Sequence, residues 1–336
     1  MDTVNELKDS PARRERPKVV VLTSGATAPP YNTAALERQA DLVWAHADTL
    51  AETLPGAEIL FVWDFFSTAL RDAWDHADSL QWVHVAAAGV DTLLFDALRE
   101  SDVVVTNARG AFDQPIAEFV LASILAHDKL LHESKDLQRQ GVWRHREVRR
   151  TAGRRALVVG TGGIGRATAR LLRAVGMDVR GAGRTPRDDD PDFGDVVSTD
   201  RLIEHAAWAD HLVLIAPLTE QTRGMVDAEV LAAMQPTAHL VNVGRGPLVD
   251  ELALVQAVRA REIAAASLDV FTEEPLPASH PLWNLPNVHV SAHMSGDVVG
   301  WRDTLADQFE GNLARWRAGS ELANAVDKDL GYARGR

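Results

Sequence analysis

Short apolar runs punctuate the first third of the chain: Val19-Val20-Val21-Leu22, Ile59-Leu60-Phe61-Val62 and Val103-Val104-Val105. Helix-compatible stretches such as 33–46 separate them, and that alternation predicts a small open α/β layer. After Pro115 the spacing becomes helical. Ile116, Phe119, Val120, Ala122, Ile124, Leu125, Leu130 and Leu131 recur near helical spacing within 116–140, with the proline at a favoured first-turn position. One long helix bridging two domains is expected there. From Arg155 a more regular series follows, with strands expected at 156–159, 178–180, 211–215, 240–242, 265–269 and 288–291 and helices at 164–175, 227–234 and 251–259. This is the pattern of a doubly wound parallel sheet. Residues 301–318 are amphipathic, follow the last strand and are expected to cross back to the first domain.

Composition narrows the picture. The 336 residues are 46% hydrophobic, enough for two domains that each bury a core. Thirty-five Lys and Arg against 48 Asp and Glu leave a net charge of -13, which disfavours binding to a phosphate backbone, so no nucleic acid partner is expected. The absence of cysteine excludes disulfides, thiolate metal sites and a cysteine nucleophile. No apolar run has the length of a membrane span. The opening residues carry acids where a secretory signal carries bases, so the expected location is the cytoplasm. Residues 1–17 are charged and proline-punctuated and read as a disordered tail.

Gly160, Gly162 and Gly165 fit G-x-G-x-x-G between an apolar strand and a helix, with Gly163 and Ile164 completing the turn. The first glycine permits the tight turn, the second a close approach to a pyrophosphate, and the third close helix packing, leaving helix N–H groups aimed at the phosphates. An NAD-selective site places an acid at the end of the next strand. Here stand Gly183, Arg184, Thr185 and Arg187. Cations in that turn suit a 2′-phosphate, so NADP(H) is expected in preference to NAD(H). The alternative is that Arg184 and Arg187 are exposed loop residues, and Asp188, Asp189 and Asp190 just beyond complicate the local field.

Three segments carry a family likeness: 240–251 (LVNVGRGPLVDE), 268–277 (LDVFTEEPLP) and Ser291-Ala292-His293. With Ala87-Ala88-Gly89-Val90-Asp91, 106–110 (TNARG), Ala117-Glu118 and Ala216-Pro217-Leu218-Thr219, the chain from about Lys18 onward resembles the D-2-hydroxyacid dehydrogenase family. The fold then expected is α/β: a doubly wound Rossmann cofactor domain (109–296) inserted into a smaller flavodoxin-like substrate domain (18–108 and 297–336). The resemblance implies hydride transfer between NAD(P)H and a small 2-oxo acid or D-2-hydroxy acid. It assigns Arg245 to the substrate carboxylate, Glu274 to orienting a histidine, and His293 to proton exchange. The residue types agree: guanidinium is a planar fork for a carboxylate, and a carboxylate beside imidazole favours its charged form. Glu273 competes with Glu274 on chemistry alone; the Glu-Pro-Leu-Pro match selects Glu274. His280 and His289 lie off the motif and read as structural.

The same likeness places Asp269 against the nicotinamide, with Val243, Ala216 and Pro217 lining the cleft. Ala88 and Gly89 would offer main-chain N–H groups to the substrate carboxylate, or form a plain turn. Trp143 is expected to limit substrate size from the partner subunit of a homodimer, with core packing or an interface anchor as equal alternatives. Trp283 and Trp301 are candidate pocket walls. Two rival functions remain: a dinucleotide-sensing transcriptional corepressor, disfavoured because a sensor needs no proton donor, and a same-fold formate or phosphite dehydrogenase. No metal is expected, since His205 and His211 lack the four-residue spacing of a helical zinc pair.

Overall fold

The computed structural model describes residues 16–25 and 27–333, so nearly all of the expected 1–17 tail lies outside the described residues. The chain divides into two compact units, one made of the described residues up to Ala111 and from Gly300 onward, the other of Phe112–Val299.

In the first unit, β1 (Lys18–Leu22), β2 (Asp41–Ala45), β3 (Ile59–Val62), β4 (Trp82–Val85) and β5 (Val104–Asn107) pair in parallel. Their order is β2-β1-β3-β4-β5, the flavodoxin-like arrangement. The unbroken apolar runs suit strands covered on both faces, which have no solvent side for alternating polar residues. Accordingly Val20, Leu22, Leu60, Val62, Val83 and Val85 are all buried. Each such side chain stabilises by about 1.5–3 kcal/mol relative to exposure. Helix Trp301–Arg317 belongs to this unit and buries Leu305, Phe309, Leu313 and Trp316. The Phe309 ring stacks on Phe61 with centroids 3.9 Å apart.

Two expectations fail here. The stretch 33–46 is not a single helix: Thr33–Glu37 is helical, and β2 then pairs Leu42, Val43 and Trp44 with Val19, Val20 and Val21 of β1. Sheet pairing overrides the local helical tendency. β4 was not foreseen, because His84 interrupts its apolar run, yet this imidazole is fully buried with Nδ1 2.7 Å from the Thr106 hydroxyl.

In the second unit the strands are β6 (Arg155–Val159), β7 (Asp178–Gly183), β8 (Arg187–Asp190), β9 (Gly194–Ser198), β10 (His211–Leu214), β11 (His239–Asn242), β12 (Ala265–Leu268) and β13 (Val288–Val290). They lie in the order β13-β12-β11-β10-β6-β7-β9-β8, the doubly wound arrangement. All pair in parallel except β8, which runs antiparallel to β9 as an edge hairpin. That hairpin was not foreseen, since Arg-Asp-Asp-Asp carries no strand signal. Strand order reverses between β6 and β10, where such sheets bind ligands at the carboxyl ends of their strands.

The expected long helix also breaks in two, Asp113–Asp128 and Leu131–Arg139, with Leu130 at φ 52° between them. The bend turns the buried Asp128 toward the Thr151 hydroxyl, which donates to it at 2.8 Å, and beside His211.

Candidate active site

At the reversal point the glycines are dictated by contact. Gly160 follows β6 at φ 112°, and a Cβ there would stand 2.7 Å from the backbone nitrogen of Ala216, just past β10. A Cβ on Gly165 would collide with the carbonyl oxygen of Gly160, and one on Gly163 with the Asp113 carboxylate. Gly162 caps the helix Gly163–Ala174 without a side-chain bond, so the N–H groups of its first turn point out of the helix end. This cradle fits a dinucleotide pyrophosphate, and a side chain on either Gly160 or Gly165 would push apart the backbone segments that build it.

Gly183 ends β7, Arg184 and Thr185 form the turn after it, and Arg187 opens β8. Arg187 is committed: its Nε donates to Asp190 at 2.7 Å and its Nη1 to the Thr185 carbonyl at 3.3 Å. Val243 and Ala216 are buried at the ends of β11 and β10, and the Pro217 carbonyl accepts the Thr222 hydroxyl at 2.7 Å.

The second cluster comes from loops beyond β11, β12 and β13. The buried Asn242 shapes the Arg245 loop, donating to the Arg245 carbonyl at 2.9 Å and accepting from Gly244 N–H at 3.1 Å. Glu274 Oε1 accepts the Phe271 N–H at 2.8 Å, and its Oε2 lies 2.7 Å from His293 Nδ1. Burial alone would raise the Glu274 pKa. The bonds from His293 and Phe271, and then the charges of His293 and Arg245, outweigh it and hold the carboxyl below its ordinary value. Arg245, Glu274 and His293 are therefore one electrostatic group. The two partnered side chains stay 32% and 29% exposed, open enough to meet a small molecule. Glu273 is exposed and takes no part in the His293 contact.

Asp269 has an organising task that the sequence did not announce. It is fully buried, and its carboxylate accepts the Ser291 hydroxyl at 2.6 Å, the Met294 N–H at 3.0 Å and the Ser295 N–H at 2.9 Å. Its backbone carbonyl accepts His293 N–H at 2.8 Å. It builds the turn in which His293 adopts φ 50°. Sequence reasoning missed this role and that of Asn242, because buried organising bonds have no residue-type signature.

In the first unit, the Ala88 carbonyl accepts the Asn107 side chain at 2.6 Å, which fixes the turn carrying Gly89 at the carboxyl end of β4. Trp143 is fully exposed at 100%, so it packs in no core of this chain. Trp283 is half-exposed and donates to the Pro277 carbonyl at 3.0 Å. His280 lies 3.3 Å from Glu251, and His289 stacks on His132. Among the described residues no helix is long and apolar enough to cross a membrane.

A phosphate cradle at the reversal point and a carboxylate–imidazole pair near a guanidinium define a dinucleotide-dependent oxidoreductase site. Residues 121–295 match the family model described as D-isomer specific 2-hydroxyacid dehydrogenase, NAD binding domain. A glyoxylate reductase of Thermococcus onnurineus is 32% identical over 270 residues, covering 77% of this chain and 80% of its own. An (S)-sulfolactate dehydrogenase of Chromohalobacter salexigens is 36% identical over 210 residues, covering 62% and 68%. The crystal structure of a D-isomer specific 2-hydroxyacid dehydrogenase from Xanthobacter autotrophicus Py2, in complex with NADPH and MES, superposes with a TM-score of 0.79 at 32% identity, covering 94% of this chain and 100% of that one. The chain belongs to the D-isomer specific 2-hydroxyacid dehydrogenase family. It is thus an oxidoreductase of 2-hydroxy and 2-oxo acids, and the corepressor and formate or phosphite alternatives are not favoured.

Proposed function

We propose that this enzyme reduces small 2-oxo acids to D-2-hydroxy acids with NADPH, using His293 as the proton donor. The 2.7 Å contact between His293 Nδ1 and Glu274 carries the reading, because it fixes the ring's orientation and leaves Nε2 for the substrate oxygen. When bound, the coenzyme supplies the hydride that C2 of the substrate accepts. Arg245 holds the substrate carboxylate through its planar fork and orients the adjacent carbonyl. His293 releases its Nε2 proton to the oxygen as C2 is reduced and ends neutral; in the reverse direction it takes that proton back. Ala216, Pro217 and Val243 would line the nicotinamide side.

The preference for NADPH rests on Gly183, Arg184 and Thr185 standing where an NAD-selective site keeps an acid. The related Xanthobacter protein with bound NADPH agrees with it. A homodimer in the cytoplasm, with Trp143 reaching the partner's substrate site, completes the reading; its full exposure suits that role. The deciding assay compares kcat/KM for NADPH and NADH across a panel of 2-oxo acids including glyoxylate and hydroxypyruvate. Absence of 2-oxo acid reduction with either coenzyme would refute the activity, and an NADH advantage would refute the coenzyme choice.

A further inference from the structure

The edge hairpin of β8 and β9 carries a side-chain network that the chemistry above does not use. Its hub is Asp190, buried although it is an acid. One carboxylate oxygen accepts Arg166 Nη1 at 3.1 Å, Asp192 N–H at 3.0 Å and Phe193 N–H at 3.2 Å. The other accepts Arg166 Nη2 at 3.0 Å and Arg187 Nε at 2.7 Å. Both lone-pair regions are thereby satisfied, which a buried carboxylate requires. Burial would raise the Asp190 pKa, but the donations of Arg166 and Arg187 outweigh it and keep the carboxyl below the ordinary carboxylate range.

The two arginines lead to two different parts of the dinucleotide cradle. Arg166 sits in the first turn of the helix Gly163–Ala174, next to Gly165, and its N–H donates to the Gly162 carbonyl at 2.9 Å. Arg187 reaches back to the Thr185 carbonyl in the turn after β7. Between them the Phe193 ring, fully buried, lies where a Cβ on Gly181 would meet it at 2.9 Å and one on Gly165 at 3.6 Å. Phe193 wedges helix against strand, and Asp190 clamps the arginine on each side.

We propose that Asp190 is a positioning residue for the adenosine-phosphate end of the coenzyme, tying the helix turn that receives the pyrophosphate to the turn that receives the ribose. It touches no coenzyme atom itself and acts through Arg166 and Arg187. The inference rests on the dinucleotide site proposed above but not on which coenzyme that site prefers.

The test is titration calorimetry with NADPH and with NADH on the full-length wild type, Asp190→Asn, Arg187→Gln and the double variant. Asparagine keeps the shape and the oxygen that accepts the two backbone N–H groups but faces Arg187 with a donor. For the coenzyme the wild type binds more tightly, Asp190→Asn should raise Kd about tenfold, the usual size of a lost charge-assisted bond. The turnover number at saturating coenzyme and the KM for the 2-oxo acid should stay unchanged. The double variant should bind no worse than the weaker single one, because both cut one linkage. A Kd within about twofold of wild type for Asp190→Asn, or additive losses in the double variant, would overturn the proposal. Should Asp190→Asn fail to fold, Arg166→Met cuts the same hub from the helix side, and an unchanged Kd there overturns it equally. The coenzyme preference is read from the wild type alone, so its failure is separable.

Discussion

His293 and the histidines His127, His211 and His239 stand toward opposite ends of one parallel sheet and live under opposite rules. His293 follows β13 at the carboxyl ends of the strands, about one-third exposed and 2.7 Å from a carboxylate. His211 and His239 open β10 and β11 at the amino ends, both buried, and His127 stacks on His239 with ring centroids 4.5 Å apart. Burial first, then the neighbouring His211 and Arg149, pushes His127 down to about 4. Burial likewise drives His239 well below its ordinary value. The same side chain is a candidate proton donor at the exposed end and a packed ring at the buried one.

The largest expected effect falls on the exposed end. His293→Asn should lower kcat by about 10³-fold to 10⁴-fold in 2-oxo acid reduction while leaving the melting temperature and the coenzyme Kd near wild type. If activity survives, the comparison loses its functional side. Next, Arg245→Lys should cut kcat/KM for the 2-oxo acid by roughly 10²-fold, mostly through KM, because a point charge does not replace a bidentate fork. A loss in kcat with KM unmoved would assign Arg245 elsewhere.

At the other end, His239→Ala removes a buried ring and strands the Ser267 hydroxyl now 2.9 Å from Nε2. It should destabilise by about 2–4 kcal/mol in denaturant unfolding and leave kcat per folded enzyme unchanged. Lost turnover in folded protein would erase the division between the two ends. A smaller change is expected from Glu274→Gln: kcat for reduction should fall about tenfold with the melting temperature near wild type, since the imidazole loses the charged acceptor that orients it. An unmoved rate would refute the pairing as functional.

Smallest and most general is the acid response. His127 and His289 titrate near 4 when folded but near 6.5 when unfolded, so between those values the unfolded chain binds more protons. Stability is full above about 6.5 and should fall as the pH drops toward 4, seen as a declining melting temperature. A flat melting temperature across that window would mean that these rings are solvated.

How much of this was legible follows from which interactions are local. The glycine loop could be read because each glycine answers a contact set by a strand–turn–helix unit of a few residues. Arg245, Glu274 and His293 could be named because their loops carry a recurring residue order. The hairpin of β8 and β9 was invisible, since a charged run becomes a strand only when Arg166 and Arg187 converge on Asp190. The bend at Leu130 was equally hidden, being marked by no glycine or proline.

From the chain alone came the periodicities that make the two α/β layers, the glycine cradle, the missing acid after β7, and the three residue types a 2-oxo acid reductase requires. Folding alone decided that Asp269 turns inward to build the His293 turn, and that three histidines of one unit, His127, His211 and His239, serve packing. The physical reason is one of range: backbone propensity and turn chemistry act within a few residues. Burial and hydrogen-bond satisfaction are settled by side chains brought together from more than a hundred residues apart, as with His127 and His239.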